Sequence, residues 1–430
     1  MKYFSRNVAL DSRPAVIFSR GAGLSICAAL TACAPQEVVR ETPTATPATV
    51  AIAQPAPPAP PPVVALPYGD AVKQAARDLF TKAKLPDGQT FSLVIDPLVD
   101  GTTGMQSVAT VALEQQVTEI VSSNYPRFQV KPFNAANLSA APLVFIGTFT
   151  PINLQGKASG ERDAYRVCFA LADLKTGKIV SKGFARAQTG GIDSTPLPYF
   201  RDAPLWVNDK IVEGYIKTCQ GTSAGDPINA AYLDKVSVAA GIDEATRAYN
   251  SKKYKESLAL FTALLRNPAG DQPRVHTGIY LSNVKLGRRD AAMQVFSKMA
   301  SQGIGAKRLA VKFGFQDGGS ALAKDENPYD RWIKELAGVS SKLAKTSETC
   351  FEVGGHTGRG GSEPLNERLA LQRAEYVKQR LLAERKDLAN IITTKGYGSS
   401  EALVATGKGD PFDSLDRRIE FKSAQCPTKS

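Results

Sequence analysis

Six cysteines and two histidines set the limits of the chemistry open to this 430-residue chain. The cysteines are Cys27, Cys33, Cys168, Cys219, Cys350 and Cys426, and none forms a C-x-x-C pair. A structural zinc needs about four clustered Cys, His or carboxylate ligands. With His276 and His356 the only histidines, no metal site is expected. One segment has the form of a nucleophile motif: Gly221-Thr222-Ser223-Ala224-Gly225 fits G-x-S-x-G. A nucleophile elbow requires a strand just before the serine and a helix just after it. Here the motif follows the end of an element at Cys219-Gln220 and runs into Asp226-Pro227, where a junction between domains is expected. There is no P-loop and no dinucleotide fingerprint. The chain reads as a binding protein without a cofactor, not as an enzyme.

The amino terminus reads as an export address. Lys2, Arg6, Arg13 and Arg20 precede a short apolar run, Gly21 to Ala32, too short to span a membrane as a mature helix. The run ends in Leu30-Thr31-Ala32-Cys33, which resembles a bacterial lipobox. That resemblance implies that residues 1–33 are a signal region, that Cys27 is removed with it, and that Cys33 carries the lipid, palmitate among its acyl chains. Multiple acyl chains anchor stably where one does not. Ala34, where an aspartate would signal retention at the inner membrane, implies the periplasmic face of the outer membrane. The competing reading is an ordinary secretory signal that happens to contain a cysteine. Four cysteines then remain in an oxidising compartment, and an even number there suggests two disulfides. Two fall in each folded region, so the expected pairs are Cys168–Cys219 and Cys350–Cys426, against the alternative of four buried free thiols.

Stepping along the chain, residues 34–66 are almost wholly Ala, Pro, Thr and Val. Prolines favour polyproline II, and at ~3.1 Å per residue such a tether reaches roughly 100 Å. A spacer without tuned length fits the composition equally well. Residues 67–225 alternate strand and helix and predict an α/β domain. "TFSLVIDPLV", "RFQVKPF", "PLVFIGTFTPI", "AYRVCFALADL" and "GKIVSKGFARA" read as strands, with a hairpin turn at Lys175-Thr176-Gly177. Val108, Val111, Leu113, Val117 and Ile120 predict the apolar stripe of a helix between them. The element order and the "LADLKTGKIV" phrase resemble the CsgG/LpoB-like family of envelope lipoproteins, which implies action by contact rather than by catalysis. Residues 226–301 read as a helical segment. Tyr254, Leu258, Phe261 and Leu264 recur 35 residues later as Arg289, Met293, Phe296 and Met299, as in the second halves of tetratricopeptide (TPR) repeats. The segment is either a groove for a protein partner or a packed connector. Two repeats are too few to stand alone, so a supporting neighbour is expected.

Residues 302–430 predict a βαβαββ domain, giving an α/β and α+β multidomain chain. "KRLAVKFGF" is a strand, "YDRWIKELAGVSSKLAK" an amphipathic helix, and "CFEVGGHTGRGGSEPLNERLALQRAEYVKQRLLAERKD" a strand, glycine-rich loop and helix. "IITTKGYG" and "DRRIEFK" supply further strands. Here Gly355-His356-Thr357-Gly358, Asn366, Leu369-Ala370, Arg373-Ala374 and Val377 are followed by Gly396-Tyr397-Gly398 and Asp416-Arg417-Arg418-Ile419-Glu420. In types and spacing this resembles the OmpA-like peptidoglycan-associating family. The resemblance implies non-covalent binding of the free end of diaminopimelate in the cell-wall peptide, a ligand that offers a carboxylate and an ammonium. Arg373 matches the family's arginine, whose planar fork suits a carboxylate. Asn366 lies two helical turns earlier; Thr357, Gly358 and Arg418 complete the implied site. His356 reads as a hydrogen-bonding residue that shapes the loop.

The chain departs from the family at Gly358, where an aspartate would meet the ammonium, and Arg359 follows it. At an effective dielectric of about 20, one unmatched charge at ~4 Å is worth roughly 4 kcal/mol before screening. Asp317, Glu352 or Glu363 could substitute; otherwise the cleft reads another ligand. The formal charge of +12 favours anionic partners or is simply a basic, soluble surface. Nucleic acid is excluded by export. The expected partners are peptidoglycan, the outer membrane through the lipid, and an envelope protein such as a cell-wall synthase or a secretion or surface-appendage complex.

Overall fold

The structure, a computed structural model, describes residues 64–430 apart from Ala141, Asn208, Lys307, Asp317, 324–327, Glu348, 405–410, Gln425 and 427–430. Cys33, the signal region and the tether up to residue 63 therefore lie outside the described residues. The tether's last residue in the sequence reading, Leu66, is already bonded to the fold: its N–H donates to Arg186 O at 2.9 Å and its carbonyl accepts from Gln188 N at 2.8 Å.

The first sheet contains β1 (Phe91–Ile95), β2 (Val99–Asp100), β3 (Phe128–Lys131), β4 (Leu143–Ile152), β5 (Ala164–Asp173) and β6 (Lys178–Gln188). Its order is β3-β1-β4-β5-β6, with β2 on β4. Helix crossovers make β1 parallel to β3 and β4, while the Lys175–Gly177 turn makes β5 and β6 antiparallel. All ten residues of β4 are buried, as expected of a strand covered on both faces. Alternate side chains serve two cores. Leu143, Phe145 and Phe149 pack under α1 (Tyr68–Thr81) and α2 (Val108–Asn124). Val144 and Ile146 belong to a second cluster with Tyr215, Cys219 and Tyr232.

Helix α2 starts at a capping box in which Ser107 and Thr110 satisfy each other's backbone N–H groups. Its buried stripe is Ala109, Leu113, Val117 and Val121, and Val108 is exposed. The expected stripe is thus right at Leu113 and Val117, and Ile120 packs partly buried against the same core, while Val108 at its start faces out.

The short helix α3 (Ala135–Ser139) joins β3 to β4, and α4 (Pro198–Asp202) leads from β6 to β7 (Leu205–Val207), then α5 (Lys210–Gln220) and α6 (Ala230–Leu233). A disulfide, Cys168–Cys219, ties β5 to α5. Helices α7 (Val236–Asn250), α8 (Tyr254–Leu264), α9 (Pro273–Lys285) and α10 (Arg289–Gly305) pack successively on one another. Phe261 and Phe296 are fully buried in α8 and α10.

The second sheet is built from β8 (Arg308–Val311), β9 (Cys350–Gly355), β10 (Ile392–Gly396), β11 (Ile419–Ala424) and β7, in the order β10-β9-β11-β8-β7. β9 and β10 are parallel, joined through α12 (Glu363–Glu384); the other pairs are antiparallel. Helix α11 (Tyr329–Ser347) packs between α10 and α12. β7 was not foreseen, and it carries a strand from residues 67–225 into the sheet of residues 302–430. Three residues are too few to show a period. The helices α7–α10 and the second sheet share one apolar core, in which Phe261, Phe296, Phe351 and Ile419 all take part.

Candidate functional site

The loop between β9 and α12 and the inner face of α12 hold most of the residues singled out above. Gly355 lets α12 lie close on β9, since a Cβ there would collide with the carbonyl of Ala370. That approach buries Asn366 and Arg373, seven residues apart on the same face, each 6% exposed. His356 stacks on Tyr397 with ring centroids 4.9 Å apart and planes within 3°. The loop backbone is fixed from two sides: His356 N donates to Arg418 O at 3.0 Å, and Thr357 N donates to Gly398 O at 2.9 Å. The Thr357 hydroxyl and the Asn366 amide nitrogen are buried without a hydrogen-bond partner among the described residues. A Cβ on Gly358 would meet nothing within 4 Å, so the missing aspartate is not a steric necessity.

Arg373 reaches the wall of a cleft of about 710 Å³, lined also by Arg417, Phe315, Gln316, Lys312 and Arg201. Its Nε donates to Gly319 O at 3.0 Å, and its guanidinium carbon lies 4.7 Å from the centroid of the Phe315 ring. Burial lowers its pKa, and nearby Arg417 lowers it further. Lys312 is pushed down to about 8 by burial; its ammonium donates to the carbonyls of Phe200 at 3.1 Å and Arg201 at 2.9 Å. Neither Asn366 nor Thr357 lines this cleft.

Arg418 is placed differently from the sequence expectation. It is fully buried, its Nε bonded to Glu420 Oε1 at 2.7 Å and its other nitrogens to the carbonyls of Leu415 and Glu401. It braces the sheet, and the neighbouring Arg417 faces the cleft. Sequence reasoning missed Arg417, Phe315, Lys312 and Arg201; only the charge of the Arg-Arg pair offered a hint.

Two of the acids proposed to replace the family's aspartate are committed elsewhere. Glu352 accepts from Tyr397 Oη at 2.6 Å, and Glu363 accepts from Ser399 N at 2.8 Å. Asp317 lies outside the described residues. His356, Glu401 and Glu420 bring ligand atoms within 4.8 Å of one another. Arg418 and Lys422 already neutralise those carboxylates, with Lys422 Nζ 2.9 Å from Glu401 and 3.6 Å from Glu420.

Cys350–Cys426 is bonded as expected, joining the start of β9 to the chain just beyond β11, where Cys350 already pairs with Ala424. Ser223 is exposed and follows helix α5 rather than a strand, with its N–H donating to Asp226 at 2.6 Å. No helix among the described residues is long and apolar enough to cross a membrane.

The loop, the helix and the strands around Arg373 fall within a single sequence match. Residues 314–412 match the OmpA family. The OmpA-like domain is 32% identical over 93 residues to the outer membrane protein Omp38 of Acinetobacter baumannii, covering 22% of this chain and 26% of that protein. The chain thus spans about a quarter of the length of the curated relative it matches. Among solved structures, the periplasmic domain of Helicobacter pylori MotB shares 19% identity over 27% of this chain and 74% of that one, with a TM-score of 0.24. The cell wall anchor of the T6SS from Pseudomonas aeruginosa shares 21% identity over 27% of this chain and 79% of that one, with a TM-score of 0.22.

Proposed function

We propose that this protein is an outer-membrane lipoprotein that holds peptidoglycan non-covalently through its OmpA-like domain, linking two layers of the envelope. One observation carries the reading. Arg373 is buried, yet among the described residues its partners are one carbonyl and one aromatic ring, and it lines an open cleft. A guanidinium has five N–H donors in a planar fork, and most of them remain for a carboxylate in the cleft. The family resemblance supplies the ligand, the diaminopimelate-bearing peptide, and Cys33 supplies the anchor. Residues 34–66 are the tether between them.

The test is sedimentation with purified cell-wall sacculi. The whole chain is needed, because the sheet of the OmpA-like domain takes β7 from residues 205–207. The wild type is expected to pellet with the sacculi, and Arg373→Gln to stay in the supernatant while keeping its fold. Cys33→Ser is expected to lose both lipid labelling and membrane attachment. A membrane-bound, lipid-labelled Cys33→Ser product removes the anchor from the reading.

A second role, docking on a cell-wall synthase or a secretion or surface-appendage complex, draws support from the helical segment. Helices α8 and α10 begin at Tyr254 and Arg289, the period noted in the sequence, and each buries its phenylalanine. This favours a TPR-like arrangement for residues 226–301, beside a CsgG/LpoB-like domain at 67–225. Envelope-extract capture by the whole chain that survives Arg373→Gln, and is lost when surface residues of α8 and α10 are exchanged, would establish this role.

A further inference from the structure

The charges around the Arg373 cleft do not match a zwitterion. Of the described residues lining it, Arg201, Lys312, Arg373 and Arg417 are basic, and one, Asp202, is acidic. Asp202 is already satisfied inside the protein. It accepts from Tyr249 Oη at 2.9 Å, pairs with Lys285 Nζ at 2.9 Å, and is held by Arg201 Nε at 3.1 Å. Lys312 is likewise committed, to the carbonyls of Phe200 and Arg201. That leaves Arg373 and Arg417, which have no carboxylate partner among the described residues and repel one another. Gly358 supplies no charge, and Glu352 and Glu363 are turned to Tyr397 and Ser399. The cleft therefore has two free cationic forks and no free acid among the described residues.

Resting on the peptidoglycan reading above, we infer that this cleft recognises the carboxylate of its wall-peptide ligand through Arg373 and Arg417 and does not read the amine beside it. The chemistry follows from the donor set. A carboxylate gains charge-assisted hydrogen bonds from either guanidinium. Among the described residues lining the cleft, an ammonium beside the same carboxylate meets no unpaired carboxylate, and the cleft is open to solvent. Whether that nitrogen is a free amine, an amide or part of a cross-link is then of little consequence. The site would accept wall peptides whose amine is substituted, and would reject those whose carboxylate is blocked. Phe315 supports this geometry by holding the Arg373 plane from one face, which leaves its edge for the ligand.

The experiment measures binding of the full chain to three soluble wall peptides by calorimetry. One carries free diaminopimelate, one has its side-chain amine acetylated, and one has the neighbouring carboxylate amidated. Acetylation is expected to change the Kd by less than about threefold, and amidation to weaken it by about thirtyfold or more, the loss of hydrogen bonds to a charged group. Gly358→Asp is the complementary variant. It is expected to tighten the free-amine peptide by about tenfold and to leave the acetylated one unchanged, because a new carboxylate has an ammonium to meet. Arg417→Gln should weaken the free and acetylated peptides alike. If acetylation costs as much as amidation in the wild type, an acid reads the amine and the inference fails, while the peptidoglycan reading stands. In that case Asp317→Asn identifies the acid by losing the effect. If no peptide binds and the chain leaves sacculi in the supernatant, the peptidoglycan reading itself fails and takes this inference with it.

Discussion

Arg417 and Arg418 are adjacent in the chain, yet one lines the Arg373 cleft and the other is sealed against Glu420, 2.7 Å away, with neither partner of that pair exposed. The two arginines should respond to substitution in opposite ways. Arg418→Ala removes the nearest cationic partner of the buried Glu420 and leaves it Lys422 at 3.6 Å, a loss of about 3 kcal/mol, the lower end for breaking a buried pair. Arg417→Ala touches an exposed side chain and should change stability by less than about 0.5 kcal/mol. Urea unfolding of the two variants checks this, and equal losses would place Arg417 in the structural frame.

The glycines of the loop between β9 and α12 divide in the same manner. Gly355→Ala would drive a methyl group into the Ala370 carbonyl and lift α12 from β9, a strain of about 1–3 kcal/mol that also displaces Arg373. Gly358→Ala meets no atom within 4 Å and should leave the melting temperature within a degree or two of wild type. Differential scanning calorimetry separates the two.

Both disulfides close long loops, with sequence separations of 51 and 76 residues. By loop-closure entropy each contributes about 4 kcal/mol. Reduction should lower the unfolding midpoint in two additive steps, one lost in a Cys168→Ala, Cys219→Ala variant and the other in a Cys350→Ala, Cys426→Ala variant. A midpoint insensitive to reductant would contradict this.

Asp96 gives a pH signature far from the cleft. Burial raises its pKa to about 7, while Tyr232, donating at 2.6 Å, and Arg274 pull it down, and Asp243 and Glu114 push it up. Its folded-state pKa lies above the unfolded value near 4, so the folded state holds the proton more tightly. Stability from this group is full below pH 4 and is lost as pH rises to about 7. At ~1.4 kcal/mol per unit the loss is at most about 4 kcal/mol. Asp96→Asn should reduce the slope of the profile in that window, where Glu114, also raised by burial to about 7, still contributes, and should be relatively more stable at pH 8 than at pH 4. An unchanged slope in the variant would mean that Asp96 titrates normally.

Much of the architecture can be read from residue types alone, where local pattern and burial agree. The all-apolar run of β4, the turn at Lys175–Gly177, and the Gly355 to Val377 phrase each state their structure directly, because a strand covered on both faces, a tight turn and a helix pressed on a strand tolerate few alternatives. The stripe of α2 departs from the expectation at its start, where Val108, the first residue after the Ser107 cap, is exposed. The seven-residue spacing of Arg373 and Asn366 puts both on one buried helix face, as their positions in the sequence imply, but only Arg373 lines the cleft. The site is not legible at Arg417, since alternation cannot say which of two consecutive arginines turns inward until the strand's register is known. Arg201 and Lys312 are invisible as site residues for another reason: one comes from a short helix more than a hundred residues upstream, and no local pattern marks it as a wall of the cleft.

β7 pairs three residues with β8, Leu205 with Val311, Trp206 with Ala310 and Val207 with Leu309. Without it, β8 would be an edge strand, presenting a row of unpaired N–H and C=O groups to any extended chain that came near. The molecule closes that edge with its own upstream segment. A fragment beginning after residue 207 would therefore expose an adhesive strand, and would be drawn toward strand exchange and self-association. The short, unremarked Leu-Trp-Val thus acts as a guard on the sheet as well as a part of it, keeping the cleft's own domain from becoming a template for other copies of itself.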